Sequence, residues 1–242
     1  MKLLDLSLVS PAGNLACDEV LLNWSEAGGG GEILRFWEPR EHFVVVGYAN
    51  KVEAEVDVAA CTARNVPIFR RCSGGGTVLQ GPGCLNYALI LQIAADSPIA
   101  SISGANKFIM ERHRAAVESA IHNPQPAITV RGHTDLVAGE HKFSGNSQRR
   151  RKRALLFHGT FLLNLNLPLV AKLLHMPSQQ PDYRHNRSHT DFLTNLNVPA
   201  DRLKSALGKV WNAIETLDDF PEQEMRRLMA EKYSTAEWNL KL

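Results

Sequence analysis

Cysteine is scarce: Cys17, Cys61, Cys72 and Cys84 are the four thiols in 242 residues. No two form a Cys-x-x-Cys pair, and none clusters with histidine at zinc spacing. The spacing argues against both a disulfide framework and a structural zinc, and predicts free thiols in a reducing cytoplasm. Long apolar runs are also missing. Nothing approaches the length that spans a bilayer, and Met1-Lys2-Leu3-Leu4-Asp5 lacks the apolar centre of a secretory signal. Charge of one sign is not in excess: the formal net charge is +2, too little for a global field that would hold nucleic acid. Repeats and low-complexity linkers are absent, and Gly28-Gly29-Gly30-Gly31 is the one flexible run. What remains is an ordinary globular chain, 44% hydrophobic and 21% charged, long enough to bury a core without staples. With no boundary visible, a single domain over 1–242 is expected. No membrane or nucleic-acid partner is expected.

Hydrophobic periodicity predicts the elements. Asn14 reads as the N-cap of a helix from Leu15 to Trp24. Leu34–Trp37 and Phe43–Gly47 read as strands, with Pro39 in the turn between them. Asp57–Arg64 reads as a short helix, Pro67–Arg71 as a strand, and Val78-Leu79 as a return to extended chain. Cys84–Ile93 is apolar enough for a buried strand. Asn106–Ile121 is helical in pattern and is broken by Asn123-Pro124-Gln125-Pro126. Three strands follow, Ala127–Arg131, Leu136–Gln148 and Ala154–Leu165, the last two joined by a basic turn as a hairpin. In the last strand Leu155, Phe157, Phe161, Leu163 and Leu165 would face a core, and His158, Thr160 and Asn164 a site. Leu203, Leu207, Val210, Ile214 and Leu217 form an amphipathic stripe. Pro221 with Glu222 and Glu224 marks a further helix start. Strands and helices without regular alternation predict an α+β fold: a mixed, largely antiparallel central sheet flanked by helices.

Three segments carry chemistry. In Arg70-Arg71-Cys72-Ser73-Gly74-Gly75-Gly76-Thr77-Val78, consecutive glycines let backbone approach a ligand and take φ above zero. Successive amides can then cradle an anion, and the arginines and Ser73 add phosphate-binding donors. A plain hairpin turn with both arginines in water is the alternative. No Gly-Lys-Ser/Thr follows, and no helix opens after the glycines, so neither a Walker loop nor a dinucleotide fingerprint is present. In Thr134-Asp135-Leu136 and Lys142-Phe143-Ser144-Gly145-Asn146-Ser147, Lys142 sits among small residues on a partly buried strand. It needs an anionic partner there; an ammonium group can neutralise a carboxylate attacking an α-phosphate. Gly145 and Ser147 leave room for a ligand. A strand-end lysine in water is the alternative. In Phe157-His158-Gly159-Thr160, His158 lies on the less apolar face, where a structural role is the commoner outcome.

Taken together, RRCSGGGTVLQGPGCLNYALIL, TDLVAGEHKFSGNSQ and HGTFLLNL resemble, in this order, the signature segments of the lipoate–protein ligase family. NLACDEVLL and VVVGYANKVEAEV also fit, so the resemblance covers residues 5 to about 200. It implies the α+β catalytic fold shared with biotin ligases and class II aminoacyl-tRNA synthetases. It also implies an enzyme that activates lipoate or octanoate with ATP and Mg2+ as an acyl-adenylate, then transfers the acyl group to a lysine of an acceptor domain. Acceptors would be lipoyl domains of 2-oxoacid dehydrogenase acyltransferases, the glycine-cleavage H protein or a specialised lipoate-binding protein. By the same resemblance Lys142 is the catalytic lysine, touching acyl carboxylate and phosphate alike. Arg71, Gly76, Thr77, Val78 and Leu79 would contact ATP and the adenylate. Gly74, Gly75, Gly145 and His158, with Lys142, would line the lipoyl pocket, and Asp135 would serve beside the lysine or with magnesium. Gln80-Gly81 replaces the His-Asp common in these ligases, and Cys84 replaces an Asn. The chain resembles short ligases without the C-terminal accessory domain, which leaves open a separate partner protein.

Octanoyl- and lipoyl-transferases of the same fold work through a cysteine thioester, which in the relatives nearest the ligases stands just before the Asp motif. Here that place reads His133-Thr134-Asp135, and only Cys72 is a rival. The missing thiol favours ATP chemistry. A non-enzymatic lipoyl-domain binder would not need a phosphate cradle. Two surface segments stand apart. Gln148-Arg149-Arg150-Arg151-Lys152-Arg153 is a solvated turn or a docking patch for an acidic acceptor. Pro181–Thr190, rich in Arg and His, reads as a long loop that can lie over the site.

Overall fold

The computed structural model describes residues 1–121 and 125–241. In chain order the elements are β1 (Lys2–Asp5), α1 (Pro11–Glu26), β2 (Ile33–Trp37), β3 (Phe43–Val46), α2 (Val52–Glu55), α3 (Val58–Ala63), β4 (Ile68–Arg70), β5 (Val78–Gln80), β6 (Cys84–Gln92) and α4 (Ile102–Ile121). Then follow β7 (Ile128–Arg131), β8 (Asp135–Ala138), β9 (His141–Arg150), β10 (Ala154–Leu162), α5 (Leu167–Leu173), α6 (His189–Phe192), α7 (Ala200–Val210), β11 (Glu215–Thr216), α8 (Glu222–Leu228) and α9 (Ala236–Asn239). Eight strands make one sheet in the order β11-β1-β2-β6-β10-β9-β8-β7. The β11-β1-β2 edge is parallel, and every later pairing is antiparallel. The expected α+β class and largely antiparallel sheet are what the chain forms. A smaller sheet, β4-β3-β5, stands beside it.

Period-two alternation sorts the central strands between two cores. Leu34 and Phe36 of β2, Leu85, Tyr87, Leu89 and Leu91 of β6, and Leu155, Phe157 and Phe161 of β10 pack under α4 and α7. The opposite face of the same strands, Ile33, Trp37, Ala88, Ile90, Ala154 and Leu156, packs under α1 with Met225 and Tyr233. Both faces are covered, which is why β6 and β10 read as almost continuous apolar runs. The face expected to be free for a site is therefore roofed by α1. A third cluster joins the smaller sheet to α5 and takes Leu165, which was expected to face the same way as Leu163. Among the described residues no helix is long and apolar enough to cross a membrane.

Other boundaries also differ from expectation. α1 starts at Pro11, preset for the first helical turn, and Ser10 caps it by accepting from the Gly13 amide. Asn14 is no cap: its side chain accepts from the Leu8 amide and donates to the Leu8 and Ser10 carbonyls. The strand expected over Leu136–Gln148 is two antiparallel strands, β8 and β9, because Gly139 turns the chain at φ +60°. The stripe ends at Val210: Asn212 adopts φ +50°, Ile214 is 82% exposed, and Leu217 belongs to the α1 core. α3 and α8 begin directly after Asp57 and Pro221, which stand at their N-caps. The break expected at Asn123-Pro124 lies outside the described residues.

Candidate active site

The glycine loop links β4 to β5 and is held from beneath. Arg70 and Arg71 are buried, so the alternative that placed them in water does not hold. The Arg71 guanidinium donates to the carbonyls of Gly74 (2.6 Å) and Gly76 (2.7 Å), and its Nε donates to Ser73 Oγ (3.1 Å). Burial pulls its pKa down to about 10, leaving it charged at neutral pH. Gly75 has φ +86°, and a Cβ on Gly47 would lie 2.0 Å from the Gly75 oxygen. Two glycines are thus required for this backbone crossing. Gly74 and Gly76 face open space. The buried Thr77 hydroxyl has no partner among the described residues. Arg70 works differently. Its guanidinium donates to the carbonyls of Gly47 and Asn50, each at 2.8 Å, and to Tyr48, Trp238 and Lys241. Its amide donates to Asn239 Oδ1, and Trp238 Nε1 donates to its carbonyl. The segment after Tyr233 therefore clamps the base of the loop.

Lys142 lies near the start of β9, its Nζ 2.8 Å from Asp135 Oδ1. The other Asp135 oxygen accepts from Tyr183 Oη at 2.7 Å. The expected anionic partner of Lys142 is thus Asp135 itself. A Cβ on Gly145 would meet Lys142 Nζ at 2.9 Å and lie 3.8 Å from Asp135 Oδ1, so the glycine makes space for the ammonium group. Tyr183 belongs to the loop over 181–190, which lies against the turn before this strand: Arg187 donates to Glu140 O, and just past the loop Thr194 N donates to Lys142 O. The site residues that sequence reading passed over include Tyr183. Its aromatic in an otherwise polar loop was the available signal. No group of three His, Cys, Asp or Glu side chains converges among the described residues. Asp135, already bonded to an ammonium group and a phenol, makes a poor metal cage alone.

His158 sits in a row that runs across the sheet: Arg35 on β2, Ala88 on β6, His158 on β10 and Ser147 on β9 are register partners in turn. The next row reads Trp37, Asn86, Thr160 and Gly145. The small Ala88 leaves a gap over the sheet, and Asp18 descends into it from α1. Asp18 Oδ1 pairs with Arg35 Nη1 at 2.5 Å, and Oδ2 meets His158 Nδ1 at 3.1 Å. The other ring nitrogen, Nε2, lies 2.5 Å from Ser73 Oγ, which in turn lies 2.7 Å from Ser147 Oγ. The structure thus brings the glycine loop, His158 and the lysine strand together. Asp18 and Arg35 went unnoticed in the sequence, although an arginine inside Ile-Leu-Arg-Phe-Trp must find a buried partner.

The basic turn joins β9 to β10, as expected, but its charges are partly used. Arg150 donates to the Ile99 and Ala100 carbonyls, Arg151 to Asn23 Oδ1, and Arg149 lies over the Tyr48 ring. Three of the five adjacent charges thus have intramolecular partners. Lys152 and Arg153 are exposed.

The chain as a whole is similar to known proteins. A family model described as the lipoyl protein ligase A/B catalytic domain matches residues 10–207. "Lipoate-protein ligase A subunit 1" of Thermoplasma acidophilum is 28% identical over 255 residues, covering 98% of this chain and 96% of the relative. "Octanoyltransferase LipM" of Oceanobacillus iheyensis is 25% identical over 244 residues, covering 93% and 89%. A crystal structure of lipoate-protein ligase A bound with ATP superimposes with a TM-score of 0.77 at 26% identity, covering 99% of this chain and 98% of that one. With its family match spanning the glycine loop, the lysine strand and His158, the chain belongs to the lipoyl protein ligase A/B catalytic domain family.

Proposed function

We propose that this chain is an ATP-dependent ligase that activates lipoate or octanoate as acyl-AMP and passes the acyl group to a lysine of a lipoyl acceptor domain. The observation that carries this reading is the state of the thiols. All four cysteines are buried. Burial is the chief cause that pushes Cys17 up to about 11, Cys72 and Cys84 up to about 12, and Cys61 above its ordinary value. Thioester chemistry needs an accessible thiolate, and none of these supplies one. Lys142 can instead draw a carboxylate and a phosphate together once it exchanges Asp135 for them. In this reading Arg71, Gly76, Thr77, Val78 and Leu79 hold the nucleotide, the unpartnered Thr77 hydroxyl finding its partner there. Gly74, Gly75, Gly145 and His158 border the acyl chain. Magnesium would be carried chiefly by the phosphates, with Asp135 beside Lys142 as a carboxylate that could join it.

The ATP-bound ligase structure supports the nucleotide, and the name of the Thermoplasma relative, a subunit, supports a separate accessory partner. The second reading is octanoyl transfer from a carrier thioester, the class in the Oceanobacillus relative's name. ATP–pyrophosphate exchange decides between them. Exchange that depends on lipoate or octanoate, and persists when Cys72 and Cys84 are both serine, is expected. No exchange, together with an acyl-thioester trapped on one of these cysteines, overturns the ligase reading.

A further inference from the structure

We infer that Asp18, His158, Ser73 and Ser147 form a proton relay that removes the proton shed by the acceptor amine during acyl transfer; this rests on the acyl-transfer reading above. With the His158 ring in its neutral form, the direction of every hydrogen bond follows from the donors present. Asp18 accepts, so His158 Nδ1 donates to it. Neutral His158 then presents Nε2 as an acceptor, and the Ser73 hydroxyl must donate to it. Ser73 Oγ accepts from Arg71 Nε, which fixes its remaining lone pair toward Ser147. The Ser147 hydroxyl therefore donates to Ser73, and its own lone pairs are free to accept. Ser147 is half-buried; it lies two residues from Gly145, the glycine against Lys142, on the same strand face, and a Cβ on Gly75 would lie 3.4 Å from its own Cβ. The relay thus runs from a buried ion pair to the edge of the candidate site.

The chemistry balances. The amine nitrogen attacks the acyl carbonyl carbon and a C–N bond forms. The bond from that carbon to the leaving oxygen of a phosphate, or to sulfur in a thioester, breaks with its electron pair. One N–H proton passes to Ser147 Oγ, the Ser147 proton to Ser73 Oγ, and the Ser73 proton to His158 Nε2. Imidazolium results, stabilised by Asp18. It then loses its proton to solvent or to a departing thiolate, and the hydroxyls reset. The charged groups that face His158 are Asp18 from α1, Arg35 behind it on β2, and Arg71 from the glycine loop; β6 contributes only Ala88 and β9 only Ser147. Ser147 is the group that would touch the amine. Ser73, His158 and Asp18 act through it as positioning residues.

The test measures single-turnover amide formation on an unmodified lipoyl domain, in H2O and in D2O at one fixed pH. Preformed octanoyl-AMP and an octanoyl thioester of a carrier protein are each supplied as donor. The parent is compared with Ser147→Ala and His158→Gln, both checked for folding by thermal melting. With whichever donor the parent uses, its rate is expected to fall in D2O, because several hydroxyl protons move along the relay. Each variant is expected to be slower than the parent by about a hundredfold and to lose most of that solvent isotope effect. Folded variants within about threefold of the parent, with the isotope effect intact, overturn the relay and leave the acyl-transfer reading standing. A parent that uses neither donor removes both.

Discussion

Lys142 is a quarter exposed and its partner Asp135 keeps the Tyr183 bond, so the pair contributes little to folding, about 0–1 kcal/mol. Lys142→Ala is therefore expected to keep its melting temperature within a few degrees while pyrophosphate release falls by a factor on the order of a hundred to a thousand. Near-normal release from a folded variant would remove Lys142 from the chemistry. Gly145→Ala makes the complementary case, since the added methyl meets the lysine ammonium and not backbone. Displacing that group by about 1 Å is expected to cost on the order of a hundredfold in acyl activation, with unchanged circular dichroism; full activity would show that the ammonium group can work from elsewhere. The glycine loop and this lysine were legible because three adjacent glycines and a lysine among small residues are unusual in any setting. Asp18, Arg35 and His158 were not legible as a unit. They are far apart in the chain, and what joins them is the β2-β6-β10 strand order, which no local pattern encodes.

At the scale of elements, β9 ties two regions together. It begins at Lys142's partner network and ends, eight residues on, at Arg150 beside the start of α4, a span of about 27 Å. The basic turn therefore lies well away from the lysine. Because Arg150 and Arg151 already hold carbonyls and Asn23, the charges free to meet a partner are Lys152 and Arg153. Reversing these two to glutamate is expected to lower acceptor efficiency several-fold at low salt and to weaken its salt dependence, leaving pyrophosphate release near the parent value. Equal efficiency in both proteins at low salt would reduce the turn to a solvated loop. The strands themselves were legible by alternation and apolar content. Their limits were missed where one residue with positive φ interrupts an unbroken pattern: Gly139 splits the expected Leu136–Gln148 strand, and Asn212 ends a stripe whose spacing runs on to Leu217. The start of α1 was misread because Asn14 resembles a cap, although Ser10-Pro11 carried the stronger signal.

For the whole molecule, the two-sided sheet commits apolar surface on both faces, and one titratable group is enclosed with it. His113 of α4 packs edge-on to Tyr87 at 4.6 Å and near Phe157, Phe161 and Trp211. Neither ring nitrogen has a partner among the described residues, and burial lowers its pKa to about 3. The unfolded chain takes up this proton below about pH 6.5 and the folded chain does not. Stability is therefore full above that value and falls by about 1.4 kcal/mol per pH unit toward pH 3. Urea titrations of the parent near pH 6.5 and pH 4.5 should differ by roughly 2 kcal/mol from this residue, and His113→Phe should remove that difference. An unchanged acid slope in the variant would place the sensitivity elsewhere.

The clamp on Arg70 reaches further than its hydrogen bonds. Residues 168 to 171 positions apart meet there, so the floor of the glycine loop closes only after most of the chain has been threaded into place. Short helices such as α9 open more readily than strands in a two-sided core. Each such opening withdraws carbonyl acceptors from a buried guanidinium, and the loop above it must loosen in the same event. Amide exchange in residues 71–77 should then keep time with exchange in residues 236–241, two stretches with no other reason to share a clock. A protease that nicks the chain after Tyr233 would, by the same coupling, unsettle the glycine loop without ever approaching it.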